Sequence, residues 1–181
     1  SKVERLCIQS FLDHGHEFHL YAYEDIGNVP KGATILDARS IMPEESIFRY
    51  KEGWGKGSVS GFADVFRLLM VQKNGGWWVD MDVACLKPLD FTEEYVFRNH
   101  HSLTMVGNVM KCPKGSKLMW DCYEEAVEKV TDENTDWHLP IQILNDHIAA
   151  HGLGNYVRKG ISNLDRWDEL RHYILSNQQP P

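Results

Sequence analysis

Two aspartates separated by one residue, Asp80 and Asp82, have the clearest potential for chemistry in this sequence. They fall within an apolar run, and a strand over 77–83 would present both carboxylates on one side. Hard oxygen ligands of this kind select Mg²⁺ or Mn²⁺, and two carboxylates leave positions open for phosphate oxygens and water. A metal held there would stabilise a departing diphosphate as a Lewis acid. The pattern therefore predicts a divalent-metal site for a substrate that carries phosphate.

A second pair of charged residues precedes the aspartates along the chain. Asp64 and Arg67 lie three residues apart in a predicted helix over 58–73, on a polar line beside its apolar stripe. Arg67 can offer a fork of donors to phosphate or sugar oxygens, and Asp64 can accept hydrogen bonds from sugar hydroxyls. Because α/β sheets bind ligands at the carboxyl ends of their strands, we expect these residues beside the aspartates.

The same residues have ordinary structural explanations. Asp64 and Arg67 fit an ion pair on a solvated helix face, and the glycine pair 75–76 fits a helix C-cap. An Asp-x-Asp sequence is also common by chance. Their conjunction favours a site, because unpaired charges at the end of an apolar strand are energetically costly.

The elements that must position these residues alternate between helices and strands. Helical periodicity predicts helices over 3–12, 58–73, 116–130 and 140–150. Apolar and aromatic runs predict strands over 18–23, 34–38, 77–83 and 102–109. The strand over 77–83 is apolar on both faces except for its aspartates, as in a buried central strand. We predict one α/β domain over 1–181, in which 160–181 is a peripheral, partly flexible tail.

Composition narrows the class of protein. The 181 residues are 43% apolar and 25% charged, as in a soluble globular protein, and the net charge of −7 argues against a nucleic-acid partner. No run is long and apolar enough for a transmembrane segment, and the N-terminus lacks a signal-peptide pattern. Four scattered cysteines predict free buried thiols, with a disulfide as the alternative. We expect a cytoplasmic protein that can also bind peripherally to a membrane.

Two other uses of Asp-x-Asp can be compared with the sequence. A calcium-binding EF-hand loop starting at Asp80 would need an oxygen ligand, a glycine and a glutamate where Ala84, Cys85 and Phe91 stand, which excludes it. A phosphatase of the haloacid dehalogenase type would use Asp80 as its nucleophile. The residues Val83 and Ala84 argue against that phosphatase, which we keep as the alternative enzyme.

The segments 61–67 and 74–82 together resemble the DXD sugar-binding region of glycosyltransferases. The similar families include the Och1-like mannosyltransferases and the bacterial capsular and lipooligosaccharide transferases. Their shared pattern is Asp-x-x-Arg on a helix, a Gly-Gly turn and a strand that ends in Asp-x-Asp, and this sequence has each part at matching spacing. A weaker likeness extends over about 5–158.

This resemblance implies a GT-A type, Rossmann-like domain that binds a nucleotide-sugar. It implies a metal-dependent, retaining hexosyltransferase that uses a UDP- or GDP-sugar and Mn²⁺ or Mg²⁺. The acceptor would be a glycan, a lipid-linked sugar or a protein, and cell-surface polysaccharide synthesis is the implied setting. By analogy, Asp64 and Arg67 hold the donor sugar and its diphosphate, Asp80 contacts the ribose or sugar and the metal, and Asp82 binds the metal. The resemblance assigns no catalytic base.

Further candidates are less specific. Many related enzymes place a late histidine on the metal, for which His138, His147 and His151 are candidates, and Trp54 is a candidate site residue in a glycine-rich loop. Relatives usually begin with a strand that precedes the first helix seen here. We therefore expect a domain without that first strand. A non-catalytic domain that binds sugar nucleotides is a second alternative.

Overall fold

The computed structural model describes residues 1–159 and residue 161, so all but one residue of the predicted tail lie outside the described residues. Its helices are Lys2–Asp13 (α1), Ser60–Asn74 (α2), Lys117–Lys129 (α3) and Leu139–Ala150 (α4). Its strands are His19–Ala22 (β1), Thr34–Asp37 (β2), Gly76–Val79 (β3), Val96–His100 (β4), Thr104–Cys112 (β5) and Val157–Arg158 (β6). The predicted mixed α/β architecture is confirmed.

The strands form two sheets. β1 and β2 pair in parallel, with His19 opposite Thr34. The second sheet has the order β3-β5-β4-β6, in which β5 is antiparallel to both β3 and β4, and β6 is parallel to β4. A cleft of about 660 Å³ with largely apolar walls separates β1 from β3. The described residues place no strand between them.

The predicted strand over 77–83 is too long and wrongly placed. β3 ends at Val79 and lies at the edge of the described four-stranded sheet, so it is not a buried central strand. The Asp80 amide still donates to the Asn108 carbonyl of β5 at 2.8 Å, and the chain then turns, with the Val83 amide donating to the Asp80 carbonyl at 3.2 Å. Aspartate is poorly suited to strands and well suited to turns, which explains the early end.

α2 is the central helix, and it ends where the site begins. Its buried residues cover more than one face: Gly61, Phe62, Val65, Phe66, Leu68, Leu69, Met70 and Val71. The helix stops at Asn74 because Gly75 and Gly76 both adopt positive φ angles, 70° and 86°. A Cβ atom on Gly75 would also lie 2.5 Å from the Lys114 backbone nitrogen. The turn into β3 therefore requires glycine for both conformation and space.

Two apolar clusters hold the layers together. The larger one joins α2, α3 and α4 to the four-stranded sheet. The smaller one is centred on α1, with Phe18 and Cys85, and the partly buried Met81 and Val83 pack against it. The segment after β3 is thus anchored on α1.

Two smaller predictions can be compared with the structure. The four cysteines are buried free thiols, as predicted: Cys7, Cys85, Cys112 and Cys122. Within the described part of the chain, none of the helices combines the length and apolarity needed to cross a bilayer.

Candidate functional site

The structure brings Asp64, Arg67 and Asp80 together at the carboxyl end of β3. An Nη2 nitrogen of Arg67 lies 2.7 Å from Asp64 Oδ1 and 3.5 Å from Asp80 Oδ1. The Arg67 side chain is only 12% exposed and that of Asp64 is 23% exposed, so their ion pair does not lie on a solvated helix face. One guanidinium therefore links helix α2 to the residue that follows β3.

Trp78 fixes the orientation of Asp80. Its indole Nε1 donates a hydrogen bond to Asp80 Oδ1 at 2.7 Å. The Arg67 guanidinium carbon lies 5.2 Å from the centre of the same ring, a cation–π distance. The ring packs against the larger cluster, and its nitrogen also serves the site.

Asp82 differs from Asp80 in its surroundings. It lies in an exposed turn, and among the described residues its carboxylate has no hydrogen bond or ion pair. Met81, between the two aspartates, packs against the smaller cluster on α1. We call residues 80–82 the aspartate turn. One of its carboxylates is held by Trp78 and Arg67, and the other is available to a ligand.

α1 supports the aspartate turn from behind. The Cys7 thiol donates to the Asp80 carbonyl at 3.5 Å, and the Ser10 hydroxyl accepts from the Cys85 amide at 2.8 Å. Burial, with a smaller contribution from the negative charges of Asp82 and Asp80, raises the pKa of Cys7 to about 11. Cys7 is therefore a protonated hydrogen-bond donor at neutral pH, with no role as a thiolate.

The carboxyl group of Asp64 has a higher pKa than that of an ordinary aspartate. Burial raises its pKa above the ordinary value of 3.8, against the opposing effect of the Arg67 charge, and the charge of Asp80 adds to the increase. A carboxyl group whose pKa is raised by burial is a common feature of functional sites.

Arg67 has unused hydrogen-bonding capacity. Its Nε atom is buried and has no partner in the structure. A buried donor without a partner is unfavourable, and at a candidate site it often marks where a ligand oxygen binds. Gly107 of β5 makes room for this side chain, since a Cβ atom there would lie 2.9 Å from Arg67 Nη1. The sequence gives only a weak signal for Gly107, a glycine inside a strand.

The donor set of the aspartate turn fits a hard divalent cation. Asp82 offers a free carboxylate, and Asp80 retains the oxygen that Trp78 does not occupy. Carboxylate oxygens with open positions suit Mg²⁺ or Mn²⁺, which keep water and phosphate ligands. The buried Nε donor of Arg67 in turn fits an anionic oxygen of a bound substrate.

Two of the three candidate histidines, His147 and His151, make ring contacts to other residues than those of the aspartate turn. His138 is the exposed N-cap residue of α4, where its backbone amide donates to Asp136. His147 lies on α4, and its Nε2 atom is 2.7 Å from Glu125. His151, just beyond α4, has Nε2 at 2.8 Å from Asp121. The ring contacts of the latter two are therefore made to α3.

Trp54 is the exposed end of an aromatic group that continues through Trp137 to the buried Tyr50. The Trp54 side chain is 85% exposed, and its ring meets Trp137 edge-on with ring centres 5.1 Å apart. Trp137 in turn contacts Tyr50 at 6.2 Å. A Cβ atom on Gly61 of α2 would collide with the Tyr50 hydroxyl, so Tyr50 joins the aromatic group to the part of α2 that carries Asp64.

Comparison with known families gives one finding. Residues 2–99 match the family model described as glycosyltransferase sugar-binding region containing DXD motif. No curated protein and no solved structure matches the chain. The matched segment contains α1, α2, β3 and the aspartate turn, and it covers more than half of the 181 residues. The chain therefore belongs to the family of glycosyltransferase sugar-binding regions that contain a DXD motif.

Proposed function

We propose that this protein transfers a sugar from a UDP- or GDP-sugar to an acceptor, with Mn²⁺ or Mg²⁺ bound at the aspartate turn. The observation that carries the proposal is the partly buried Arg67, held between Asp64 and Asp80, with an unpartnered Nε donor. This arrangement suits a negatively charged group whose oxygens replace water around the guanidinium.

The charge of the site supports a metal requirement. Two carboxylates, those of Asp64 and Asp80, flank one guanidinium, and Asp82 adds a third carboxylate two residues after Asp80. This excess of negative charge repels a diphosphate unless a cation is present. Asp82 and the free oxygen of Asp80 would hold that cation. When bound, it supplies positive charge that stabilises the departing nucleoside diphosphate.

The residues around the metal position have separate tasks in this proposal. Arg67 donates to the diphosphate, and contacts with Asp64 and Trp78 hold the Arg67 side chain in position. Asp64, which follows the cleft-lining residue Ala63, accepts hydrogen bonds from the donor sugar. Because these groups are held before the substrate arrives, little reorganisation accompanies charge development in the transition state.

The finer features of the proposal rest on the family resemblance. The order of α2, the turn at Gly75 and Gly76 (the glycine turn), β3 and the aspartate turn supports a GT-A type fold that spans the whole chain as one domain. Retention of the sugar's anomeric configuration and a role in cell-surface polysaccharide synthesis are proposed by the same analogy. The choice between uracil and guanine as the base stays open.

The aromatic group around Trp54 is our proposed acceptor platform. Trp54 offers an open indole face next to Trp137 and Tyr50, and Tyr50 lies on the side of Asp64. Exposed tryptophans supply large, rigid, amphipathic surfaces for binding. We propose that a sugar ring of the acceptor stacks there and directs its hydroxyl group toward the donor.

The first experiment measures nucleotide release from a panel of UDP- and GDP-sugars, with and without Mn²⁺. The wild-type chain is compared with Asp82→Asn and with the control Asp25→Asn, which removes one exposed carboxylate from the β1–β2 connection. We expect Mn²⁺-dependent release from one donor, reduced at least about 100-fold in Asp82→Asn and unchanged in the control. Full activity in Asp82→Asn would contradict the proposed metal position.

The same panel separates the alternatives. Binding of UDP or GDP without release, with acceptors present, would indicate a non-catalytic sugar-nucleotide-binding domain. Release of inorganic phosphate from phosphate esters, with trapping of Asp80 by a phosphate mimic, would indicate the phosphatase.

The acceptor platform has its own test. We expect Trp54→Ala to raise the KM for the acceptor at least about tenfold and to leave acceptor-independent donor hydrolysis unchanged. An equal loss of both activities would show that Trp54 serves the fold or the donor site.

A further inference from the structure

The second group of chemically capable side chains lies between α3 and α4. Asp121 and Glu125 are four residues apart on α3, and His147 and His151 are four residues apart at the end of α4, so each pair lies on one helix face. The His151 amide still donates to the His147 carbonyl at 2.9 Å, which keeps the helical spacing. Two histidines and two carboxylates therefore meet across the helix–helix contact.

The distances among these side chains match a metal-ligand set. One ligand atom from each of Asp121, His147 and His151 lies within 4.8 Å of the other two. Tetrahedral zinc, with bonds of about 2.0–2.2 Å, places its ligand atoms about 3.3 Å apart. The 2.8 Å contact between His151 and Asp121 would open slightly, and the longer distances would close by side-chain rotation.

We propose that Asp121, His147 and His151 bind a zinc-type transition-metal ion, with Glu125 as the fourth ligand. Glu125 already lies 2.7 Å from His147 Nε2. Imidazole nitrogens favour zinc and its neighbours, whereas the all-oxygen aspartate turn favours Mg²⁺ or Mn²⁺. The two sites would thus take different metals on different elements.

The surroundings suit a site of moderate affinity. The three side chains are each about one-fifth exposed, so an ion can enter and still be partly shielded from water. Lys117 contacts both carboxylate oxygens of Asp121 at 2.7 Å, and Lys129 contacts Glu125 at 2.7 Å. Both lysines are exposed and can swing into solvent when the ion neutralises the carboxylates.

The consequence of metal binding would be a clamp between α3 and α4. At present, hydrogen bonds between histidine and carboxylate join the two helices, and a metal would replace them with coordinate bonds. A ligand that binds the folded state alone raises its stability by mass action. We therefore expect Zn²⁺ to stabilise the protein without any nucleotide-sugar present.

The test uses Co²⁺ as a spectroscopic probe and Zn²⁺ as its competitor, on chain stripped with a chelator. We expect the visible absorption of tetrahedral Co²⁺ at one equivalent, its loss on adding one equivalent of Zn²⁺, and a rise in melting temperature with Zn²⁺ alone. Asp82→Asn and His138→Gln should behave as wild type. His151→Gln should weaken binding at least about tenfold.

Two results would overturn the proposal. One is absence of saturable binding by the wild-type chain. The other is binding that His151→Gln retains and Asp82→Asn loses, which would place the ion at the aspartate turn. If His151→Gln melts early without metal, Asp121→Asn provides the second variant, because its amide keeps the shape of the side chain. Neither result depends on transferase activity, so this proposal and the proposed function fail separately.

Discussion

Asp64 and Asp121 each form an ion pair with a neighbouring basic residue at 2.7 Å, yet their pKa values move in opposite directions. At Asp64, burial raises the pKa and outweighs the favourable charge of Arg67. At Asp121, the hydrogen bond from Lys117 lowers the pKa most, burial opposes it, and the hydrogen bond from His151 lowers the pKa further. Ion-pair distance and side-chain exposure, 23% for Asp64 and 20% for Asp121, are nearly the same at the two aspartates. The second partner of Asp121, His151, and the like charge of Asp80 beside Asp64 distinguish the two regions.

The two regions differ in how completely their charged side chains are paired. Around Arg67, the fold keeps two carboxylates close together, and among the described residues the Nε donor has no partner. Between α3 and α4, every charged side chain that we have named has an opposite partner. Functional sites commonly keep such unfavourable features, because substrate binding relieves them.

Removing Arg67 should have the largest effect and would test the comparison most directly. We expect Arg67→Met to lower nucleotide release at least about 100-fold, because the diphosphate loses its guanidinium. The free energy of unfolding should fall by about 2–3 kcal/mol, since Asp64 is left partly buried without its partner. Urea denaturation and the release assay measure both effects.

Arg39→Met is the matched control, because Arg39 forms exposed ion pairs with Asp37 and Glu44. We expect it to keep full activity and to lose much less stability than Arg67→Met. Equal losses of stability in the two variants would remove the distinction between the two kinds of ion pair.

Gly107→Ala should have the next largest effect. The added methyl group would push against the Arg67 guanidinium, which lies at the end of a flexible side chain, so the site would shift and the fold would not. We expect about a tenfold lower rate of nucleotide release and a stability change below about 1 kcal/mol. Gly154→Ala, where an added Cβ meets open space, is the control. Full activity in Gly107→Ala would show that the position of Arg67 is not restricted by β5.

The pH dependence of stability should have opposite signs in the two regions. Because the pKa of Asp64 is raised in the folded state, the folded chain binds more protons in that range. The stabilisation by Asp64 relative to Asp64→Asn should therefore be greatest below its ordinary pKa of 3.8 and fall as pH rises through its folded value. Asp121, with a lowered pKa, should stabilise above pH 3.8 relative to Asp121→Asn and lose that effect as pH falls. Unfolding curves for the three proteins in the acid range measure these slopes, and slopes of equal sign would contradict the comparison.

The smallest effect is expected at the surface of α3. Lys129→Met removes an exposed partner of Glu125 and leaves the contact from His147 in place. We expect no change in nucleotide release and a change in melting temperature smaller than in any variant above. A loss of activity would show that a change on α3 alters the function of the aspartate turn.

The sequence predicted the regular elements better than the contacts between them. Helical periodicity located α1 and α2 to within two residues, because their apolar stripes follow the core. The apolar pattern of a strand did not predict β4, because the charged Arg98, only 1% exposed, interrupts that pattern.

The arrangement of the candidate site could be predicted only where its residues follow one another along the chain. Asp64, Arg67 and Asp80 lie on consecutive elements, so their meeting follows from local order. The role of Gly107 and the contact of Asp121 with His151 depend on how distant segments pack, which no single-sequence pattern records.

The glycine turn has a consequence that concerns handedness. Gly76 has a φ angle of 86° and open space where a Cβ would stand, so strain from the backbone alone disfavours an L-residue there. A D-alanine at position 76, introduced by chemical synthesis, would adopt this angle readily and would restrict the unfolded chain. The separation between Arg67 and Asp80 thus depends on a backbone conformation that suits a D-residue better than an L-residue.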